Sequence, residues 1–235
     1  MRIGFFGDSL TFGVPGVSFL QILEKIFPQH DLLNYGQGGD TVLSLYRRIQ
    51  TLPKQSYDMA FLWVGVNDEL VHASWTYPLL KKLRNQPWAE NPEEFEDCYR
   101  RLVEHLRSQA KVLKTVTPLL IGEDVDNPWN RNLGRMAETI KKISGEYAGV
   151  ECIDIRGEIV PQLEGKEVSA FFPRSLFRIL RDIASFKTSR DVEEESKNRG
   201  LHFTLDGIHL NQRGADIAAR RFAAVIRKYE QKQVL

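Results

Sequence analysis

The sequence predicts an α/β fold in which a parallel sheet is covered by helices on both faces. Short apolar segments recur along the chain, and stretches with a helical spacing of apolar residues separate them. Several of the apolar segments are bounded by Gly, Asp or Pro. Strands that are buried on both faces have this short apolar pattern, and right-handed helical crossovers join parallel neighbours.

Five apolar segments are predicted to be the strands of that sheet. Each spans only four to six residues, a usual length for a buried strand. In chain order they are Ile3–Phe6, Leu32–Tyr35, Met59–Val64, Val116–Ile121 and Val150–Ile155. Functional loops in such a sheet lie beyond the carboxyl ends of the strands, so the residues that follow each segment are candidates for a site.

Three of the helices are predicted from apolar residues that share one face. The first begins after Asn91, which is suited to cap it, and Pro92 suits its first turn. The apolar faces comprise Phe95, Tyr99, Leu102, Leu106 and Leu113 in the first helix, Leu133, Met136, Ile140, Ile143 and Tyr147 in the second, and Ile217, Phe222, Val225, Ile226 and Tyr229 in the last.

The composition fits one domain over residues 1–235. A chain of 235 residues with 42% hydrophobic residues can bury a core of its own, and it contains neither an internal repeat nor a low-complexity linker. Two stretches interrupt the alternation of strands and helices, at about 70–91 and 157–203. Loops of this length are usually functional or mobile, so both are predicted to be insertions within the single domain.

Charge and cysteine usage argue against several classes of partner. The 32 basic and 31 acidic residues leave a net charge of +1, so no long-range field favours nucleic acid or an anionic membrane. Cys98 and Cys152 are predicted to be free buried thiols, because neither belongs to a metal-binding or redox spacing. No segment reads as a signal peptide or approaches the ~20 apolar residues of a membrane span. We therefore expect a soluble, cytoplasmic protein unless a leader peptide has been removed, and we predict no particular oligomeric state.

Four short motifs lie where strands are predicted to end or just before the last helix. They are Gly7-Asp8-Ser9-Leu10, Asn34-Tyr35-Gly36-Gln37-Gly38-Gly39-Asp40-Thr41, Gly65-Val66-Asn67-Asp68 and Asp206-Gly207-Ile208-His209. Each motif alone is better explained as a turn or a helix cap. In combination they contain the groups that ester hydrolysis by a serine nucleophile requires.

Ser9, Asp206 and His209 are predicted to form a catalytic triad. The hydroxyl of Ser9 follows a strand, where it can face a cleft. His209 supplies an imidazole, and the unperturbed pKa of histidine lies near neutrality. Asp206, three residues earlier, is close enough to bind one imidazole nitrogen and leave the other free to face Ser9.

Gly39 and Asn67 are predicted to donate hydrogen bonds to an oxyanion. Gly39 has no side chain, so its backbone N–H can approach a reacting carbonyl closely. Asn67 offers an amide donor that stays protonated at any working pH. Donors of this kind stabilise the charge that develops on the carbonyl oxygen in acyl transfer.

With these motifs the sequence resembles the SGNH hydrolases, also called GDSL esterases and lipases. That family is named for a Ser, a Gly, an Asn and a His in separate blocks, and Ser9, Gly39, Asn67 and His209 match them in family order. The resemblance extends from residue 4 to about residue 215. It implies a three-layer α/β/α sandwich with a flavodoxin-like five-stranded parallel sheet. It also implies an oxyanion hole formed by the N–H groups of Ser9 and Gly39 and the side chain of Asn67.

Asp8, Asp40 and Asp68 each follow a predicted strand, so a metal site is an alternative interpretation of these residues. No spacing of His or Asp ligands supports it, and bonding within turns and caps is predicted instead, with no metal and no cofactor. His202 lacks an acidic residue three positions earlier and is predicted to be a loop or packing histidine rather than the base.

The second insertion contains a predicted amphipathic helix before the Asp206 motif. Its apolar face comprises Phe172, Leu176, Ile179, Leu180 and Ile183. Packing on the body of the enzyme is favoured. The alternatives are a lid over the site, or a weak contact of residues 172–186 with lipid headgroups. Trp75, Tyr77 and Trp88 of the first insertion either line the substrate pocket or pack their loop onto the domain.

The sequence therefore predicts an enzyme that hydrolyses a carboxylic ester through an acyl-enzyme on Ser9. The substrate is a small-molecule ester, and lipids, thioesters and O-acetylated sugars all stay open. One alternative is an acyltransferase, because it shares the acyl-enzyme. Another is a carbohydrate- or lipid-binding module without turnover, which the complete motif set disfavours because binding needs neither a paired base nor oxyanion donors.

Overall fold

A five-stranded parallel sheet forms the centre of the molecule. The computed structural model describes residues 1–73, 76–169, 171–172, 181 and 189–233. The strands are β1 (Arg2–Gly7), β2 (Asp31–Gly36), β3 (Tyr57–Trp63), β4 (Ala110–Val116) and β5 (Val150–Ile153). Their spatial order is β2-β1-β3-β4-β5 and every neighbouring pair is parallel. This is the flavodoxin-like order that the family resemblance implied.

Helices cover both faces of the sheet. In chain order the described helices are α1 (Ser9–Phe12), α2 (Phe19–Ile26), α3 (Val42–Gln50), α4 (Val66–Ala73), α5 (Thr76–Leu83), α6 (Pro92–Arg107), α7 (Pro128–Glu146), α8 (Ile155–Ile159), α9 (Ser189–Asn198) and α10 (Gln212–Gln233), with a 3₁₀ turn at Val160–Gln162. Asn91 caps α6 as predicted, since its side chain accepts the N–H of Glu94 at 2.9 Å.

Two hydrophobic clusters lie on opposite faces of the sheet. Alternation along β1 sends Phe5 into one cluster and Phe6 into the other, as expected for a pleated strand. The first cluster joins the sheet to α2 and α10, where Phe222 makes an edge contact with the ring of Phe61. The second joins it to α3, α6 and α7. The result is the three-layer α/β/α arrangement that the sequence predicted.

The fourth strand lies earlier in the chain than predicted. It occupies Ala110–Val116, whereas Leu119 to Ile121 are buried but belong to the connection that follows. Pro118 lacks an N–H and interrupts that apolar run. Leu113, predicted on the face of the preceding helix, belongs to β4 because α6 ends at Arg107. The second helix likewise ends at Glu146, so Tyr147 caps it.

The first insertion is largely helical rather than an irregular loop. Its helix α5 buries Tyr77 and Lys81, four positions apart, and exposes Leu79 and Leu83. A helix that buries a lysine and exposes leucines has no apolar stripe for periodicity to detect. In the second insertion the chain forms α8, the 3₁₀ turn and α9, while most of the predicted amphipathic helix, at 173–180 and 182–188, lies outside the described residues.

Both cysteines are free thiols. Cys98 is buried, as predicted, and Cys152 is half-buried. Within the described ranges, every helix is too short or too polar to cross a lipid bilayer.

Candidate active site

Ser9 follows the carboxyl end of β1, which lies between β2 and β3 in the sheet. Asp8 caps α1, because its Oδ1 accepts the N–H of Leu10 at 2.9 Å, and Ser9 is the first residue of that helix. The preceding Gly7 leaves no room for a side chain, since a Cβ there would lie 2.2 Å from the carbonyl oxygen of Trp63. The strand can therefore turn sharply into α1 and present the Ser9 hydroxyl at the edge of the sheet.

Asp206 and His209 form one buried turn before α10. The Nδ1 of His209 lies 2.8 Å from Asp206 Oδ2. The other carboxylate oxygen accepts the backbone N–H groups of Ile208 at 3.1 Å and His209 at 2.8 Å. Burial alone would raise the pKa of Asp206, but the charge and hydrogen bonds of His209 outweigh it, so the pKa lies below its usual value.

The structure brings Ser9 and His209 together from opposite ends of the chain. The Nε2 of His209 lies 2.9 Å from the Oγ of Ser9. Because the carboxylate of Asp206 can only accept, Nδ1 carries the proton in the neutral imidazole and Nε2 is the acceptor. The three side chains thus form a continuous chain of hydrogen bonds in which the Ser9 hydroxyl can lose its proton to His209.

Gly39 and Asn67 line the same cavity as Ser9 and His209. In the described part of the chain, the backbone N–H groups of Ser9 and Gly39 have no acceptor. The Nδ2 of Asn67 donates to Asp8 Oδ2 at 3.2 Å and has a second hydrogen to offer. All five residues that the sequence singled out therefore lie around one point, with donors beside the nucleophile.

Lys81 lies directly behind these donors, and none of the sequence motifs contains it. Only 1% of Lys81 is exposed, and its Nζ donates to Asn67 Oδ1 at 3.2 Å and to the carbonyl oxygen of Gly39. Burial lowers its pKa to about 8, although the neighbouring carboxylates favour its charged form. The available signal was the spacing of four between Tyr77 and Lys81, which puts the lysine on the buried side of α5.

The three aspartates that follow the strands are buried around Lys81 and are bonded within the protein. Burial raises the pKa of Asp8 to about 6, against the N–H of Leu10 and the charge of His209. It raises the pKa of Asp68 to about 7, although the N–H of Val42 donates to that carboxylate.

The third aspartate, Asp40, accepts hydrogen bonds from Ser44 at 2.8 Å and from Arg48 at 2.9 Å. Among the described residues, no group of three or more His, Cys, Asp or Glu side chains is arranged to hold a metal ion.

Glu123, on the loop after β4, is a second important residue outside the sequence motifs. It is fully buried, and its Oε1 accepts the N–H groups of Phe203 at 2.8 Å and Thr204 at 2.9 Å together with the Thr204 hydroxyl at 2.8 Å. Its Oε2 accepts the N–H of His202 at 2.6 Å. One carboxylate therefore anchors the segment that leads into Asp206. His202 lies in that segment, and its Nε2 is 2.9 Å from the carbonyl oxygen of Glu167.

The cavity beside Ser9 is small, about 70 Å³. Tyr77 and Leu70 form part of its wall, whereas Trp88 packs at the edge of the first hydrophobic cluster. Trp75 lies outside the described residues. A larger cavity of about 480 Å³ lies between α4, α6 and α7 and is lined by Glu69, but it contains neither Ser9 nor His209.

A known protein family and several solved structures are similar to this chain. The profile of the GDSL-like Lipase/Acylhydrolase family matches residues 5–217. No curated protein sequence matches the chain significantly. Among solved structures, the acetyl xylan esterase AlAXEase aligns with a TM-score of 0.66 at 22% identity, covering 96% of this chain and 100% of the other.

Two further solved structures are similar to the chain. A catalytic mutant of Axe2, an acetylxylan esterase from Geobacillus stearothermophilus, aligns with a TM-score of 0.66 at 18% identity, covering 94% of this chain and 91% of the other. LAE5, an alpha/beta hydrolase enzyme from the metagenome of Lake Arreo, Spain, aligns with a TM-score of 0.63 at 18% identity, covering 95% and 93%. At these identities the likeness shows a shared fold.

Proposed function

Because the chain belongs to the GDSL-like lipase/acylhydrolase family and is an ester-hydrolysing enzyme, we propose that Ser9 is its nucleophile and that the reaction passes through an acyl-enzyme. One observation carries this proposal. The Ser9 hydroxyl, the imidazole of His209 and the carboxylate of Asp206 are joined in order by contacts of 2.9 and 2.8 Å. That is the order of nucleophile, base and orienting acid that serine hydrolysis requires.

In the proposed first step, His209 Nε2 takes the proton of Ser9 as the Oγ attacks the ester carbonyl. The resulting imidazolium is stabilised by Asp206 and gives the proton to the departing alcohol, which leaves the acyl group on Ser9. In the second step His209 takes a proton from water, the hydroxide attacks the acyl-enzyme, and Ser9 recovers its proton. Asp206 stays ionised throughout, as its lowered pKa favours.

The oxyanion of both tetrahedral intermediates is proposed to bind the N–H groups of Ser9 and Gly39 and the amide of Asn67. The two backbone N–H groups have no acceptor in the described chain, and Asn67 retains one unused hydrogen. Each such donor contributes roughly 10²–10³ in kcat in comparable sites.

We also propose that residues 1–235 act as a single domain around the one sheet.

The cavity favours a short acyl group such as acetyl. A volume of about 70 Å³ is far below the roughly 300–1,000 Å³ of pockets that enclose a drug-sized ligand. Tyr77 and Leu70 are among the residues that line this cavity. Because similar solved structures are named as acetyl xylan esterases, an acetylated xylo-oligosaccharide is a suitable natural ester to test beside a simple acetate.

The nucleophile assignment is tested with Ser9→Ala and a series of p-nitrophenyl esters from acetate to palmitate. We expect the substitution to lower kcat by at least about 10⁴-fold, because a methyl group cannot attack. Ser9→Ala should also abolish labelling by a fluorophosphonate. Ser56→Ala, which changes an exposed serine before β3, is the control and should keep both the esterase activity and the labelling.

The same experiment separates the competing functions. Acetate should be cleaved fastest, and activity should fall as the acyl chain outgrows the cavity. An active enzyme that converts most acyl-enzyme to a new ester when an alcohol is added would instead be an acyltransferase. Full esterase activity in Ser9→Ala would reject the proposed nucleophile.

A further inference from the structure

We infer that Lys81 is a positioning residue of the oxyanion hole, which fixes Asn67 and the Gly39 turn in the orientation that the reaction needs. The inference rests on the proposed function, because it assigns Lys81 a task in the same reaction. Lys81 comes from α5, in the insertion after Asn67, and none of the four sequence motifs contains it. Its ammonium group contacts two of the three proposed donor residues.

The burial of Lys81 requires an explanation of this kind. A lysine is almost never fully buried unless it is paired, because removing an ammonium group from water is costly. Here only 1% of the residue is exposed, and its Nζ donates to Asn67 Oδ1 at 3.2 Å and to the Gly39 carbonyl oxygen. The nearby Lys82 on the same helix is exposed. The chain therefore places one specific lysine, and not its neighbour, behind the donors.

Lys81 and Asp8 together determine which way the amide of Asn67 faces. An ammonium group can only donate, so it selects the Oδ1 end of the amide. The ionised carboxylate of Asp8 can only accept, and it binds Nδ2 at 3.2 Å. A flipped amide would set N–H₂ against the ammonium and oxygen against the carboxylate. The N–H₂ end is thus held on the side where its second hydrogen is available to an oxyanion.

The Gly39 turn is held in the same manner by the end of the first insertion. Lys81 binds the carbonyl oxygen of Gly39, and Gln86 Nε2 binds the carbonyl oxygen of Gly38 at 3.1 Å. The Gly38 carbonyl and the Gly39 N–H belong to one planar trans peptide, so fixing the carbonyl fixes the direction of the N–H. The N–H of Gln86 also donates to the Lys81 carbonyl oxygen at 2.8 Å, which joins the two contacts into one unit.

Lys81 also offsets an unfavourable field at the site. Asp8, Asp40 and Asp68 are all buried nearby, and their negative charges would oppose the charge that develops on a substrate oxygen. The ammonium group of Lys81 is a cation placed among all three, whereas Arg48 pairs with Asp40. A positive charge that is already in position costs no reorganisation when the oxyanion forms.

The main test compares Lys81→Met with Lys82→Met as its matched control. Methionine keeps most of the length of lysine but has no donor and no charge. For Lys81→Met we expect kcat on p-nitrophenyl acetate to fall by about 10²–10³-fold, the cost of losing an oxyanion donor, with KM changed by less than about 3-fold. Lys82→Met should keep both constants. A Lys81→Met enzyme with unchanged kcat, or with the loss confined to KM, overturns the inference.

A double-mutant cycle tests whether Lys81 acts through Asn67. If it does, kcat of the double variant Asn67→Ala/Lys81→Met should fall by a much smaller factor than the product of the two single-variant factors. The reason is that the amide that Lys81 orients is already gone. Losses that multiply fully would show an independent role and overturn the inference. Turnover by Ser9→Ala is measured in parallel. An active Ser9→Ala enzyme rejects the proposed function itself, whereas an inactive one beside a normal Lys81→Met enzyme rejects only this inference.

The pH profile of the unmodified enzyme decides the matter even if Lys81→Met does not fold. Burial and Arg84 lower the pKa of Lys81 to about 8, while Asp8, Asp40 and Asp68 raise it. We expect kcat to fall above about pH 8 as the ammonium loses its proton, and Lys82→Met to show the same fall. A folded Lys81→Met enzyme should lack it. A profile of the unmodified enzyme that stays level to pH 9.5 overturns the inference.

Discussion

Gly39, a proposed oxyanion donor, occupies a backbone position that favours glycine. Its φ is +84°, in the left-handed region, and a Cβ there would lie 2.9 Å from Gln86 Oε1 and 3.3 Å from Lys81 Nζ. A side chain at this position therefore meets both backbone strain and the side chains that hold the turn. Gly38, one position earlier, would place a Cβ with no atom within 4 Å.

We expect Gly39→Ala to lower kcat by about 10²–10³-fold, because the N–H moves away from the oxyanion when the turn shifts. Gly38→Ala should keep kcat within a few-fold. Steady-state kinetics on p-nitrophenyl acetate measures both variants, with circular dichroism as the check on folding. A larger loss in Gly38→Ala than in Gly39→Ala would mean that the donor has been assigned to the wrong glycine.

At the scale of elements, the loop before α10 depends on a residue far away in the sequence. Glu123 accepts four hydrogen bonds from residues 202–204, and the N–H of Gly122 donates to the Gly207 carbonyl oxygen at 2.8 Å. Ser196 of α9 donates to the Thr204 carbonyl oxygen at 2.7 Å. The turn that carries Asp206 and His209 is therefore held by the β4–α7 connection and by the second insertion.

Replacing Glu123 with Gln should loosen this loop. The amide nitrogen of the new side chain would face an N–H donor in place of one carboxylate oxygen, and hydrogen bonds to a charged group contribute about 1.5–3 kcal/mol. We expect the free energy of unfolding in urea to fall by about that amount and kcat to fall with it. Glu164→Gln, at an exposed position, is the control. Unchanged stability in Glu123→Gln would remove the anchoring role.

The elements differ in how far the sequence could reveal them. The short motifs after β1, β2 and β3 could be recognised as parts of one site from the sequence. Because parallel strands end at one edge of the sheet, Ser9, Gly39 and Asn67 could be expected to lie close together. Lys81 could not be identified from the sequence, because a buried lysine on a short helix cannot be distinguished from an exposed one until its partners are known. Glu123 was missed because its bonds are to backbone groups some 80 residues away, and contacts of that kind leave no local spacing.

For the molecule as a whole, the fold brings residues 200 positions apart into contact at 2.9 Å. It does so by ending β1 beside the turn that precedes α10, whose Phe222 packs against Phe5 and Phe61 of the central strands. The polar site therefore rests directly on the first hydrophobic cluster. Several of its charged groups are buried for the same reason, and their titration affects the stability of the entire domain.

The burial of these charged groups should affect how the free energy of unfolding changes with pH. The folded-state pKa values of Asp8, about 6, and Asp68, about 7, lie above the ordinary value of 3.8. Burial likewise raises the pKa of Glu69 to about 7 from 4.5. Between the two values of each group the folded protein holds more protons than the unfolded chain, so the free energy of unfolding falls as pH rises. His105, whose pKa burial lowers, acts in the opposite direction.

Above about pH 5.5 the carboxyl groups whose folded-state pKa is lowered, such as Asp58 and Glu96, are ionised in both states. The three raised carboxyl groups then oppose His105, and we expect the free energy of unfolding to decline from about pH 5.5 to pH 7. Asp68→Asn should make the decline shallower, because one of the three protons no longer titrates while an amide oxygen still accepts from Val42. Asp58→Asn removes a carboxyl whose pKa is already lowered by Lys111, so it should leave the slope over this range unchanged. Urea unfolding at pH 5.5, 6.2 and 7 measures all three proteins. An equal slope in Asp68→Asn and in the unmodified protein would show that Asp68 is ionised in the folded protein throughout this range, against its raised pKa.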